Sequence, residues 1–350
     1  MTVGSQRQTN QPALVGVADS QSIPSQGNLN GEEATKDDLT IDAEESEANE
    51  HAINATNVTD RQQVAMPSFW NLLSSYNKRL NILLLGETGV GKSTWINGFV
   101  NYFTFGSLEN VKPMINVIPI RFAMTDENYE KRVICSSDGE QDDIENYQEG
   151  HSTTQQPKNY ALTLGQSGST ICLIDTPGFG DTRGFKQDRQ RFANIMTHVA
   201  SFNELHGICI LLKPNNARLN VVFETCIKEL LKEIGNKASK NIVFCFTHSR
   251  STMYRPGDTY SALQELLKPH PKIKLSKETV YCTDNEAVRY LAATKCGIKF
   301  EEQETEYITK SWTISLSEND RLLAHFLTLK PFVLKSTLVT SEKQTPKRKC

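Results

Sequence analysis

Residues 81–94 read Asn81-Ile-Leu-Leu-Leu-Gly-Glu-Thr-Gly-Val-Gly-Lys-Ser-Thr94, an apolar run that breaks at Gly86 and ends in Gly91-Lys92-Ser93. Such a run predicts a buried strand that delivers the chain into a turn with a helix starting directly behind it. Backbone amides of a turn of this kind converge on phosphate oxygens. Glycines at 86, 89 and 91 supply the backbone freedom that close approach to a phosphate requires. The candidate phosphate-binding residues are therefore Gly86, Glu87, Thr88, Gly89, Val90, Gly91, Lys92, Ser93 and Thr94. Lys92 is placed to meet β- and γ-phosphates and Ser93 to offer its hydroxyl to Mg²⁺. The alternative is an ordinary glycine turn between a core strand and a surface helix; strand context, spacing and helix context together favour the phosphate loop.

Working outward, the chain has 350 residues and 38% hydrophobic content, enough for one large or two small domains. Its formal charge of −3 points to no nucleic-acid partner, but the average hides an asymmetry. Residues 1–66 hold eleven acidic against three basic side chains. That segment is rich in Gln, Asn, Ser and Ala, and is expected to be a disordered acidic arm. Eight scattered cysteines, several inside strand-like runs, fit a reducing compartment and no disulfide framework. With no apolar run long enough to span a bilayer, we expect a soluble, cytoplasmic protein. The terminal Lys347-Arg-Lys-Cys350 sets a basic patch beside an acylatable cysteine. It lacks a C-a-a-X pattern and one signal anchors poorly, so membrane association is unsupported and residues 336–350 are read as a mobile basic tail.

Order is expected from residue 67. Phe69, Trp70, Leu72, Leu73 and Tyr76 recur at helical spacing and predict a short leading helix before a strand at Leu80–Leu85. A helix follows from Ser93 to about Tyr102. The long connection 103–150 holds two strand-like runs, Ile115–Met124 and Lys131–Ser136, read as an elaborated sheet edge. Strands are expected at Tyr160–Leu164, Ser169–Asp175, Gly207–Leu212, Asn241–Phe246 and Thr279–Cys282. Helices are expected at Asp188–Glu204, Val221–Ile234, Thr259–Leu267 and Glu286–Lys295. This alternation predicts an α/β P-loop NTPase fold, a three-layer open and mostly parallel sheet with helices on both faces. The domain would run over 67–300. Ser315-Leu-Ser-Glu318 reads as a capping box, opening an amphipathic helix to about Leu329 within a helical extension, 301–335.

A nucleotide switch also needs a threonine and a glycine amide that sense the γ-phosphate, and a base reader. Thr154, in the polar stretch Gly150-His-Ser-Thr-Thr-Gln155, fits the first role, with Thr153 as its rival. Asp175 ends a buried strand, where a carboxylate can hold Mg²⁺, and Gly178 follows in Asp175-Thr-Pro-Gly-Phe-Gly-Asp181. Together these three motifs resemble the translation-factor-related GTPases, specifically the septin-like branch of septins, immunity-associated GTPases and plastid import-receptor GTPases. The resemblance covers about residues 79–295. It implies binding of GTP and GDP with Mg²⁺ held by Ser93, Thr154 and Asp175, and a homodimer or hetero-oligomer formed across the nucleotide face.

The chain departs from the usual pattern twice. Where most GTPases carry Asn-Lys-x-Asp, it reads Thr247-His-Ser-Arg250, and Arg250 has only donors. The plastid import-receptor branch has a similar Thr-His and a later acidic-Asn pair, which Asp284-Asn285 matches. The resemblance thus implies His248 lining the base, with Asp284 as acceptor; the alternative is that Asp284 only caps the following helix. Second, Phe179 stands where Ras-like proteins place a water-orienting glutamine, so hydrolysis is expected to be slow. The residues expected to serve it are Lys92, Thr154 and Gly178, with Arg183, or His151 or Gln155, supplying help from this chain or a facing one. A solvated loop charge is the plainer reading of Arg183. A nucleotide-bound assembly module without turnover and a P-loop ATPase are the competing functions.

Overall fold

The computed structural model describes residues 50–55, 79–125, 128–136, 154–164, 169–180, 185–235 and 237–334. The expected leading helix at 67–78 and the basic tail lie outside them, as do His151, Thr153 and Arg183.

Among the described residues the central sheet has seven strands. Their spatial order is β1 (Glu50–Ala55), β5 (Lys158–Leu164), β6 (Ser169–Asp175), β2 (Arg79–Gly86), β8 (Gly207–Leu212), β9 (Ile242–Phe246) and β10 (Val280–Cys282). All neighbouring pairs are parallel except β5 with β6. The apolar run of β2 explains its central place, because a parallel strand covered on both faces needs no polar alternation. Leu83 and Leu85 face a layer built from Ile195 and Val199 of α2 (Phe185–Ala200), Phe223 of α3 (Val221–Leu230) and Leu263 of α4 (Thr259–Leu267). Leu80, Ile82 and Leu84 face the opposite layer, with Trp95 and Phe99 of α1 (Lys92–Phe105) and Leu322 and Phe326 of α6 (Glu302–Thr328). The result is the three-layer α/β fold expected of a P-loop NTPase.

Three features differ from the sequence expectation. The first lies in the acidic arm, where Glu50–Ala55 forms β1 and pairs along β5, with Glu50 opposite Asn159 and Ala55 opposite Leu164. A strand edge offers a row of unpaired amides and carbonyls, and this short segment meets them through its backbone, which composition cannot reveal.

The second is the 103–150 connection, which does not extend the main sheet. β3 (Arg121–Thr125) and β4 (Lys131–Cys135) form a separate antiparallel pair, as do β7 (Glu204–Leu205) and β11 (Phe332–Val333). Ile120 and Ile134 pack the β3–β4 pair on Val288, Ala292 and Ala293 of α5 (Glu286–Lys295). The chain at 115–118 is not a strand, because two buried asparagines of α1 take its polar groups. Asn97 bonds Ile118 O at 2.7 Å and accepts from Val117 N at 2.9 Å; Asn101 likewise pairs with Ile115.

The third is α6, which starts at Glu302 with a reciprocal capping box between Glu301 and Glu304 and runs 27 residues. Ser315 is therefore inside the helix, and its hydroxyl donates to Asp284 O at 2.8 Å while accepting from Asp284 N at 2.9 Å. Trp312 Nε1 donates to Gly106 O at 3.1 Å, and the Phe326 ring lies flush on Gly207 of β8. Leu322, Leu323 and Phe326 of the helix pack into the core layer. Among the described residues, no helix is long and apolar enough to cross a membrane.

Candidate functional site

The strand β2 ends at Gly86, and α1 begins six residues later behind Gly91, whose φ of 93° is the left-handed backbone that glycine adopts without strain. A side chain at Gly86 would stand 2.8 Å from Val90 Cγ1 and 2.9 Å from Leu211 O, so the loop closes only around glycine. Lys92 is only 7% exposed. Its Nζ donates to Gly86 O and Glu87 O, both at 3.2 Å, which holds the ammonium against the loop. Burial lowers its pKa to about 8, against the opposing pull of Asp175 and Glu87. A buried cation short of countercharge favours an anionic ligand.

Asp175 closes β6 beside the loop and is fully buried. Its Oδ2 accepts from Thr154 Oγ1 at 3.0 Å, whereas Oδ1 is buried with no hydrogen-bond partner. Burial raises its pKa, and the Lys92 charge acts in the opposite sense. Ser93 and Thr154 line one groove of about 340 Å³ together with Thr88, Gly89, Gly91, Lys92 and Thr94. Its other wall is Pro119 to Phe122, with His248 and Arg289 at one end. The structure therefore brings Lys92, Ser93, Thr154 and Asp175 to one place. Their donor set, two hydroxyls and a carboxylate with an orphaned oxygen, is all hard oxygen and fits Mg²⁺. Among the described residues there is no cluster of three or more His, Cys, Asp or Glu side chains that could hold a metal ion.

The segment after Asp175 is fastened to the phosphate loop. Phe179 N donates to Gly86 O at 3.2 Å, and Thr88 N donates to Phe179 O at 2.8 Å. A Cβ on Gly178 would fall 2.6 Å from Thr88 Cα, so only glycine allows this approach. The Phe179 side chain is 1% exposed and packs in the core, its ring 6.4 Å from that of Phe223. It anchors the loop from below and takes no place among the polar groups of the groove. Sequence reasoning missed Arg191 and Asp188 of α2, a buried pair joined at 3.0 Å. Arg191 also donates to Gly178 O at 3.2 Å, and Asp188 accepts from Gly180 N at 3.3 Å. Their only trace in the sequence is an Asp-x-x-Arg spacing on a helix.

At the far end of the groove, His248 follows β9 with φ of 53°, its Nδ1 within 3.0 Å of Thr247 Oγ1. Burial and the nearby Lys213 lower its pKa against the opposing pull of Asp284, and the net lowering favours the uncharged ring. Neither Asp284 nor Asn285 lines the groove, and the two differ in what their polar atoms do. Asp284 Oδ2 accepts from Arg250 N at 3.0 Å and its Oδ1 from Glu286 N at 2.9 Å, so the carboxylate braces the 249–252 turn and caps α5. Asn285 is different: both Oδ1 and Nδ2 are buried with no partner. The amide lies beside the loop, with Nδ2 4.0 Å from where a Gly91 Cβ would stand. An orphaned amide of this kind carries an unmet cost of about 1–3 kcal/mol per polar group until a ligand or water meets it. Arg250 turns outward to Glu286 at 2.9 Å. Arg289, also missed from the sequence, stacks over the Phe122 ring at 4.4 Å and forms part of the groove wall.

A glycine loop between a central parallel strand and a buried helix start, with a carboxylate at the end of the adjacent strand, defines an α/β domain of the P-loop NTPase fold. No protein-family profile matches the chain. A curated relative, GTP-binding protein A of Dictyostelium discoideum, is 22% identical over 194 residues, which are 55% of this chain and 33% of that protein. The chain thus spans about a third of the length of the relative it matches. Among solved structures, a dimerisation-deficient variant of Toc33 from Arabidopsis thaliana is 16% identical with a TM-score of 0.44, covering 76% of this chain and 91% of that one. Toc33 with GDP and Mg²⁺ is 14% identical with a TM-score of 0.40, covering 76% and 94%. The G domain of the T. maritima FeoB iron transporter is 13% identical with a TM-score of 0.30, covering 61% and 99%.

Proposed function

We propose that the chain binds guanine nucleotides with Mg²⁺ and hydrolyses GTP to GDP and phosphate slowly, acting as a nucleotide-dependent dimerisation or assembly switch. The observation that carries this reading is the convergence of Lys92, Ser93 and Thr154 on one groove, with Asp175 behind it bonded to Thr154 and its Oδ1 buried and unpaired. Ser93, Thr154 and Asp175 would hold Mg²⁺, which when bound neutralises charge on the β- and γ-phosphates. Lys92 holds the phosphates, while Thr154 and the Gly178 amide register the γ-phosphate and order their loops. The matched segment of a relative named for GTP binding supports the choice of nucleotide.

For the base, His248 on the groove wall and the orphaned Asn285 amide beside Gly91 are available, whereas both Asp284 oxygens are already bonded. Asn285 Oδ1 accepts from the guanine ring N–H and amine, and Nδ2 donates to the guanine carbonyl oxygen. Asp284 keeps the turn that presents them. Titration calorimetry with GDP, ADP and XDP tests this. Asn285→Ala should weaken GDP binding at least tenfold and erode its advantage over ADP and XDP, while Lys92→Ala should abolish tight GDP binding. Equal affinity of the unmodified chain for GDP and ADP would overturn the guanine assignment.

A second reading, an assembly module that holds nucleotide without turning it over, is favoured by one observation. Phe179 is a core residue, so the position after the switch glycine brings no polar group to the site.

A further inference from the structure

The phosphate loop carries two polar side chains ahead of Lys92, and the fold treats them differently. Glu87 is turned away, its Oε1 accepting from Asn220 N at 3.2 Å at the start of α3. Thr88 is one of the residues that line the groove with Lys92, Ser93 and Thr154. Its hydroxyl oxygen is buried and has no hydrogen-bond partner. Its backbone is fixed by the bond from its amide to Phe179 O, so the hydroxyl sits on a clamped peptide. The switch glycine lies directly against it, since a Cβ on Gly178 would be 2.6 Å from Thr88 Oγ1. A buried hydroxyl left unpaired is unfavourable, and one placed where the loop meets the switch has its need met by whatever anionic oxygen enters there.

The geometry points to Thr88 as a sensor of the γ-phosphoryl group, its hydroxyl donating to a terminal phosphate oxygen that a diphosphate lacks. This deepens the proposed function and rests on its phosphate-loop assignment, though not on the choice of base. It also assigns a task that Phe179 does not perform. Thr88 marks the triphosphate state from the loop side, as Thr154 and Gly178 do from the switches. Thr88 is a substrate-contacting residue in this scheme, and losing its hydroxyl affects the triphosphate complex selectively.

The test is the ratio of affinities for a non-hydrolysable triphosphate and the matching diphosphate, measured by calorimetry with Mg²⁺ for the full chain and for Thr88→Val and Thr88→Ser. Guanine and adenine pairs are both run. Thr88→Val should lose about tenfold or more in triphosphate affinity with diphosphate affinity held within about twofold, and Thr88→Ser should keep the parent ratio. Retained diphosphate binding shows that the variant is folded; if Thr88→Val does not fold, Thr88→Ala takes its place. An unchanged ratio in the hydroxyl-less variant, or an equal loss for both nucleotides, overturns the assignment. A preference for the adenine pair would instead count against the guanine reading, leaving the Thr88 ratio readable, and a chain that binds no nucleotide overturns both.

Discussion

Nucleotide binding should take up a proton, and Lys92 sets how much and where. Burial lowers its pKa from 10.5 to about 8 in the protein without ligand. A bound phosphate adds the countercharge that burial withholds and raises the bound-state pKa back toward that of an ordinary lysine. At pH 8.5 about a quarter of Lys92 is charged before binding and nearly all of it after, so uptake is about 0.75 proton per nucleotide; at pH 7 it is about 0.1. The charged fraction falls about tenfold from pH 7 to pH 9, and affinity should fall with it. The same shift acts on folding. Between about pH 8 and 10.5 the unfolded chain binds more protons at this site than the native one, so the ligand-free protein gains stability as pH rises through that window. Calorimetry of GDP binding at pH 8.5, in two buffers of different ionisation enthalpy, reads the uptake directly. Lys92→Arg, charged throughout, should bind with negligible uptake. Uptake near zero in the unmodified chain, or equal uptake in Lys92→Arg, would refute the reasoning.

Two further predictions concern the scaffold. Gly207→Ala places a methyl 2.3–2.6 Å from three Phe326 ring atoms and should cost about 1–3 kcal/mol, lowering Tm by roughly 2–10 °C; an unchanged Tm would show that α6 does not bear on β8 as described. Ala52→Pro with Ile53→Pro removes the amide that faces β5 whichever of the two it is, because consecutive amides point to opposite sides of a strand. Hydrogen exchange at residues 159–164 should then quicken while GDP affinity is preserved, and unaltered protection there would contradict the β1–β5 pairing.

The parts of the fold that could be read from the sequence are those where local pattern and tertiary role agree. The Leu80–Leu85 run is continuous because β2 is covered on both faces, and Gly86, Gly89 and Gly91 are spaced as the loop needs. Asp175 was legible because a charged residue ending a buried strand has few structural uses. What escaped depends on partners distant in the chain. Glu50–Ala55 has no apolar pattern and becomes a strand only because β5 offers an edge. The first turns of α6 are rich in glutamate and read as surface, yet Ile308 and Trp312 within them pack on Tyr102 and Leu108 near α1. Asn97 and Asn101 look like ordinary helix polar residues, but they replace a strand's ladder at 115–118. Phe179 was informative as a missing glutamine, and its place in the core shows why that position holds an aromatic ring. At the base end, Asp284 drew attention by its charge, whereas the orphaned groups belong to its neutral neighbour Asn285.

A switch built on Mg²⁺-dependent GTP turnover shows itself in hydrolysis by the full chain over a wide range of protein concentration. GTP hydrolysis should be slow, require Mg²⁺, disappear in Lys92→Ala, and rise in specific activity with concentration as facing chains complete each other's sites. Tight GTP binding with turnover at background at every concentration would contradict it and leave the non-hydrolysing assembly module as the better account.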